Sequence, residues 1–434
     1  MKVGSAAAVV FVLAVAAGCA APASRTPSPP AAPATVLGFP DARSILLGPG
    51  GDAESSVEAS ADGQTILVCS HGGFTQPSPL WVSTDAGASF KRVEPQPNQP
   101  FNGDCDVAIA PDGTWAIVYD TAASATVAVS TDQGASWGLN PVSGIPLGGV
   151  DRPWLLALGH TLYLDYKSVG NGAAGTHILA VSADGGLTWV PHAYMPPHYP
   201  DRMEGTSGHP FLLSDDGRGI GIAVATANSG GTAVYLDLAM SRDGGATWTS
   251  SQAVGPIPVV GGIPGGTRAG DGTLYLTYTT PDRDFHGNVY AVVSTDDGAT
   301  WSAPQLVAED QAFAGLVATA WADGRPDGGA DVAWMSVVGN TSDGKETWQM
   351  AQARLSMQGG FHVAAFGHVG ETGTPPPASL YEFSEVDHDA AGRTYVADPL
   401  FQGPQCKQTP AFPSQVGSQS IPRNTLCGHV VVEP

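Results

Sequence analysis

Positive charge is scarce in this chain. Eighteen Lys and Arg stand against 40 Asp and Glu, a formal net charge of −22 with a pI near 4.6. A surface so acidic is repelled by phosphate polyanions and anionic lipid headgroups, so nucleic acid is excluded as a partner, as is charge-driven membrane docking. Cysteine is scarce too, with five residues and no Cys-x-x-Cys or Cys/His cluster at ligand spacing. No metal and no cofactor are therefore expected. Long hydrophobic runs are missing: the longest reading of that kind, Ala6 to Ala17, is 12 residues and too short to span a bilayer permanently. No Ser-His-Asp arrangement, phosphate loop or zinc helix stands out. Hydrophobic content of 42% is still ample for a core.

What the chain does have is repetition. Ser83-Thr-Asp85-Ala-Gly87-Ala-Ser-Phe90, Ser130-Thr-Asp132-Gln-Gly134-Ala-Ser-Trp137 and Ser182-Ala-Asp184-Gly-Gly186-Leu-Thr-Trp189 share one form, Ser-x-Asp-x-Gly-x-Ser/Thr-aromatic. Ser241-Arg-Asp243-Gly-Gly245-Ala-Thr-Trp248 and Ser294-Thr-Asp296-Asp-Gly298-Ala-Thr-Trp301 complete the set, with starts 47, 52, 59 and 53 residues apart. A short motif returning at such a period means stacked supersecondary units, one four-stranded sheet each. Each copy lies between two strand-like runs and reads as a hairpin turn, in which Asp accepts backbone N–H bonds and Gly supplies a positive φ. The aromatic ring then pins the hairpin between sheets.

This pattern resembles the Asp box, or bacterial neuraminidase repeat, and the chain is similar to the sialidase-like β-propellers. The resemblance implies an all-β fold, with the boxes structural and on the periphery. A second repeat, an inner strand ending in a Gly turn, begins near Glu54, Asp104, Asp151, Gly208, Ile263, Val317 and Phe383. Seven blades fit best, with six as the alternative. The sixth carries a decayed box around Ser356–Phe361, and the seventh would borrow Ser44–Gly48 as its outer strand to close the ring.

The N-terminus reads as an export signal over residues 1–19, ending Ala17-Gly18-Cys19. That end resembles a lipobox in which Cys19 is lipidated, although Ala16 stands where Leu is usual. Residues 20–37 form an Ala/Pro/Ser-rich tether, and 38–434 the propeller. The expectation is an exported protein held at the outer side of a bacterial cell membrane by its lipid alone, with free secretion as the alternative, and a monomer. Cys69, Cys105, Cys406 and Cys427 remain, an even number suited to disulfides; proximity in the repeat pairs Cys69 with Cys105 and Cys406 with Cys427.

In propellers, ligands sit at the mouth of the central channel, where the inner strands start. Alignment on the turn glycines places Glu54, Asp104, Asp106, Asp151, Arg152, His209, Glu382 and Glu385 there, with Glu204 just upstream. Sialidases require three arginines on the substrate carboxylate, a Tyr nucleophile raised by a Glu, and an Asp acid/base. The chain lacks a Phe/Tyr-Arg-Ile-Pro signature in its first blade. Arg152, Arg268 and Arg325, with Tyr381, follow a similar order, yet Arg268 and Arg325 fall late in their units, away from the mouth. An acidic mouth remains, with Asp151, Asp104, Glu385 and Tyr381 as candidate catalytic groups. Arg152, Trp154, Asp106, Glu54, His209, Glu204 and Glu382 are the candidate ligand-binding set. Trp154 reads equally as a sugar platform or as a buried lock on blade three. Each carboxylate reads either as acid/base chemistry or as a cap on neighbouring backbone N–H groups. Three functions follow: glycan binding with possible glycosidase chemistry, a protein-interaction scaffold of the cell envelope, or a sialidase.

Overall fold

A computed structural model describes residues 38–49, 54–71, 78–95, 103–121, 124–142, 150–168, 176–193, 202–214, 216–228, 233–257, 261–281, 286–313, 319–340, 342–344, 346–373, 384–401, 413–416, 419–422 and 427–433. The signal, the tether, Cys19, Tyr381, Glu382 and Cys406 lie outside these residues. The architecture is all-β: seven four-stranded antiparallel blades arranged as a β-propeller. Among the described residues no helix is long and apolar enough to cross a membrane.

The inner strands of blades 1 to 3 are Ser55–Ala59, Cys105–Ile109 and Val150–Leu158. Blade 4 has a split inner strand, Arg202–Ser207 and Phe211–Leu212, both paired on Ile220–Asn228. Blades 5 to 7 begin with Gly261–Arg268, Trp321–Gly324 and Val386–His388. The seventh blade closes as the repeat count requires: Arg43–Pro49 pairs antiparallel with Cys427–Glu433 and becomes its outer strand. The first and last strands of the fold thus share a sheet, which leaves no open edge in the ring.

Each of the five Ser-x-Asp-x-Gly turns repeats one hydrogen-bond set. In the third, Ser182 Oγ donates to Asp184 Oδ1 at 2.8 Å and accepts the Gly186 N–H at 2.7 Å. Thr188 donates to the same carboxylate through N–H and hydroxyl, at 2.8 and 2.6 Å. These donors, led by the Thr188 hydroxyl, hold Asp184 down to about 2. The turn needs two successive left-handed residues. The first is Ala86, Gln133 or Asp297 in three copies, at φ of 56–57°, and Gly in the other two. That is the physical reason the motif fixes one Gly and leaves the preceding position variable.

The core lies between blades. One cluster, including Leu67, Leu80, Val107 and Ile117, fills the space between blades 1 and 2. Into it runs the Cys69–Cys105 disulfide, the bridge that proximity in the repeat predicts. On the axis itself, Trp154 of blade 3 meets Trp321 of blade 6 edge-on, centroids 5.1 Å apart, with the His209 ring 5.8 Å from Trp321. These side chains close the axis.

Candidate functional site

The register of the inner hairpins decides which residues stand at the mouth. In blade 1 the outermost pair is Ser55↔Ser70, so Glu54 and His71 stand next, joined by the His71 N–H to Glu54 carbonyl bond at 3.3 Å. In blade 2, Cys105↔Tyr119 is followed by Asp104 and Asp120, with the Asp120 N–H donating to the Asp104 carbonyl at 3.1 Å. Blade 3 places Asp151 opposite Lys167. Residues directly opposite across antiparallel strands share a face. Three consecutive blades therefore present a pair of titratable side chains each. Blade 5 presents Gly261, Gly262, Ile263 and Pro264 at the corresponding end.

Two backbone conformations mark blades 1 and 3. Of five non-glycine residues at positive φ among the described residues, three belong to the Ser-x-Asp-x-Gly turns; the other two are Glu54 at 53° and Arg152 at 54°. A left-handed conformation costs a residue with a Cβ roughly 1–2 kcal/mol and persists where surrounding structure or function requires it. Both strained residues bracket Asp104. Arg152 Nη1 lies 3.8 Å from Asp151 Oδ2, and the Lys167 ammonium donates to the Gly205 carbonyl at 3.1 Å.

The local electrostatics follow from burial and crowding. Burial, and then the charge of Asp104, push the Asp120 carboxyl well above the usual carboxylate range. Its Oδ1 has no hydrogen-bond partner among the described residues. Burial likewise raises Asp151, opposed by the Arg152 guanidinium. Asp151 is the more accessible of the two, with 38% of its side chain exposed.

Other candidates fall elsewhere. Asp106 is fully buried: Oδ1 accepts from Ser56 Oγ and the Val107 N–H, and Oδ2 accepts the Leu155 N–H at 2.6 Å, so it ties blades 1, 2 and 3 together. Ser56 Oγ also contacts Glu385 Oε2, which accepts the Val57 N–H at 3.2 Å. One hydroxyl proton serves one acceptor, so the second contact needs a proton on a carboxyl. Burial and then the charge of Asp106 raise Glu385 and place that proton there. Both acids, assigned to the mouth by the sequence alignment, are structural ties one layer below it.

His209 is corrected in the same way. It does not begin the inner strand of blade 4; it sits in the break after Ser207, with Nε2 2.9 Å from the Leu155 carbonyl and 3.3 Å from Asp106 Oδ2. Trp154 is wholly enclosed against Trp321, so its ring offers no face to a sugar. Glu204 lies on the first inner strand of blade 4, its backbone paired with Thr226.

Arg268 and Arg325 lie at the turn ends of their units, roughly 20 Å along the strand direction from the mouth where Arg152 stands. Arg325 is engaged by Asp327 and Asp331. The three arginines do not converge. Sequence reasoning missed His71 and Asp120, and it missed a contact of Ser207 Oγ with Asp165 Oδ2 and His177 Nδ1, both at 2.8 Å. That trio is buried, with His177 driven down to about 3 by burial.

No protein-family model matches the chain, and no curated protein matches it. Comparison with solved structures finds propellers. A protein of unknown function from Dyadobacter fermentans superposes at a TM-score of 0.51 with 15% identity, over 91% of this chain and 99% of that one. The fold is that of a β-propeller. A Trypanosoma rangeli sialidase aligns at 0.49 with 13% identity, over 92% of this chain and 59% of that one. YCF48 bound to a D1 peptide aligns at 0.48 with 11% identity, over 92% and 98%. The likeness to the Dyadobacter protein bears on the fold alone and leaves the chemistry to this chain's own residues.

Proposed function

We propose that this protein is an exported, lipid-anchored propeller that binds carbohydrate at the mouth of blades 1 to 3, with Asp151 as its proton donor should the bound sugar be hydrolysed. The observation that carries this reading is the left-handed pair Glu54 and Arg152 at the inner-strand starts of the two blades that flank Asp104, Arg152 within the bulge between Asp151 and Trp154. Arg152 supplies a planar fork for hydroxyl or carboxylate groups. Asp151 has a carboxyl raised by burial yet open to solvent over a third of its side chain, the combination a general acid needs. The absence of a convergent arginine triad argues against sialic acid as the ligand. Cys19 would carry the lipid.

The test is a glycan-binding array and an aryl-glycoside hydrolysis panel on the intact protein, with Arg152→Ala and Asp151→Asn alongside. Saturable binding, weakened at least tenfold in Arg152→Ala, supports the reading; turnover lost in Asp151→Asn with binding retained assigns the proton donor. A folded protein that binds no member of the array overturns it. The closed axis, plugged by Trp154 and Trp321, favours a second reading in that event: a non-catalytic scaffold that presents its loops to an envelope protein.

A further inference from the structure

Blades 1 and 2 bring three ligand-type side chains to one place and set a fourth carboxylate at a neighbouring paired position. One atom each of Glu54, His71 and Asp104 lie within 4.8 Å of one another, with His71 Nε2 3.9 Å from Asp104 Oδ1. The fourth, Asp120, stands at the position opposite Asp104 across the hairpin of blade 2. Asp120 is 7% exposed, and its Oδ1 has no partner among the described residues. A buried carboxylate oxygen without a donor costs free energy that a nearby cation would recover.

The placement is also rigid. Cys69 is two residues before His71, and Cys105 follows Asp104, so the disulfide clamps together the two hairpins that carry the cluster. Ser78 Oγ donates to the Gly103 carbonyl at 3.0 Å and holds the strand end just before Asp104. The left-handed backbone of Glu54 fixes its side chain against the same corner.

We infer that Glu54, His71, Asp104 and Asp120 form a divalent-cation site at the junction of blades 1 and 2. Ligand atoms bound to one such ion lie on the order of 3–4 Å apart, so the spacing of Glu54, His71 and Asp104 closes with small side-chain movements, and Asp120 is the fourth ligand from the position paired with Asp104. One imidazole among carboxylates suits an ion of the Mn2+ or Zn2+ type better than Ca2+, which takes oxygen ligands alone. The mouth side of the site is left for water or for an oxygen of a ligand. The inference shares the Glu54 and Asp104 corner with the carbohydrate reading but uses neither Asp151 nor Arg152, so the Asp151→Asn and Arg152→Ala variants tell the two apart.

The experiment is a calorimetric titration of untagged, chelator-stripped full chain with MnCl2, chosen because the ligand shell of bound Mn2+ can be read by EPR. One ion per chain is expected, with a Kd of about 10 µM or tighter. His71→Gln and Asp120→Asn should each weaken binding at least tenfold, while Asp387→Asn, in the channel, should not. Because a variant can fail to fold, the ligand shell of the bound ion in the wild-type chain is read by pulsed EPR. One coordinated imidazole nitrogen supports the site. No binding at 1 mM on the order of a hundred times that Kd, an all-oxygen shell, or binding unchanged in both variants overturns it.

Discussion

Two carboxylate clusters in this propeller have opposite economies of partners. At the turn ends of blades 6 and 7, Asp331 is wholly buried and saturated. It accepts from Arg354 at 3.0 and 3.1 Å, Arg325 at 3.2 Å, Thr394 at 2.8 Å and Gln352 at 3.3 Å, with His388 Nε2 at 2.9 Å. Burial works against its charge, but His388 and then Arg354 outweigh that and hold it far below the usual range. At the mouth, Asp120 is nearly as buried, has an oxygen without a partner among the described residues, and feels the charge of Asp104. A fold satisfies the charges it needs for stability. Acids left crowded and short of donors, beside two strained backbones, are the ones to interrogate for function.

The largest effect that comparison predicts is on stability. Asp331→Ala removes the acceptor from two guanidiniums and an imidazole and should cost about 3–5 kcal/mol, read from the denaturant midpoint. Asp120→Asn in the metal-free protein should cost less than about 1 kcal/mol or stabilise, since it relieves a like-charge contact. Equal losses in the two variants would break the distinction between the clusters.

A smaller, pH-dependent effect sharpens it. Asp387, on the inner strand of blade 7, is pushed up to about 8 by burial and then by Asp323, against an Ala59 N–H bond at 2.6 Å. A carboxyl raised on folding binds its proton more tightly in the native state, so its contribution falls as pH rises from about 4 to 8. His388 behaves differently: burial opposes its charge, Asp323 and Asp331 overcome that, and it rises to about 10, so its stabilisation is lost only as pH climbs from about 6.5 to 10. Asp387→Asn should flatten the decline between pH 4 and 8 by roughly 1–2 kcal/mol and leave the alkaline loss in place. Parallel stability curves for wild type and variant would remove Asp387 from the account.

Local chemistry was legible in the sequence; facing was not. The Ser-x-Asp-x-Gly turns could be read because Asp184, Ser182 and Gly186 bond within one five-residue span. The closing strand at Ser44–Gly48 followed from counting repeats, and Cys69 with Cys105 from their place in consecutive units. Asp104, Asp151 and Arg152 were found because they start inner strands. Asp106 and Glu385 were misassigned because alternation along a strand shows that a side chain changes face, not which face meets the next blade. His71 and Asp120 were missed because only inner-strand starts were aligned. The signal was available: reflection of Glu54 and Asp104 about their hairpin turns lands on those two residues.

The smallest effect tests the strained backbone directly. Glu54 at φ 53° and Arg152 at 54° adopt a conformation that glycine accepts without a Cβ penalty. If that geometry serves the mouth rather than the fold, Glu54→Gly and Arg152→Gly should be neutral or stabilising by up to about 1 kcal/mol, after the cost of a freer unfolded chain. Each should nonetheless lose ligand, Mn2+ in the first case and carbohydrate in the second. A turn residue offers the control: Gln133, left-handed at 57° in the second Ser-x-Asp-x-Gly turn, becomes more stable as Gly but has no ligand to lose. Stability gained together with binding lost at 54 and 152, and stability alone at 133, separates strain kept for function from strain a turn merely tolerates. A fall in stability at Glu54 and Arg152 would instead mean that their side chains hold the blades together, and the mouth would lose its claim to be the site.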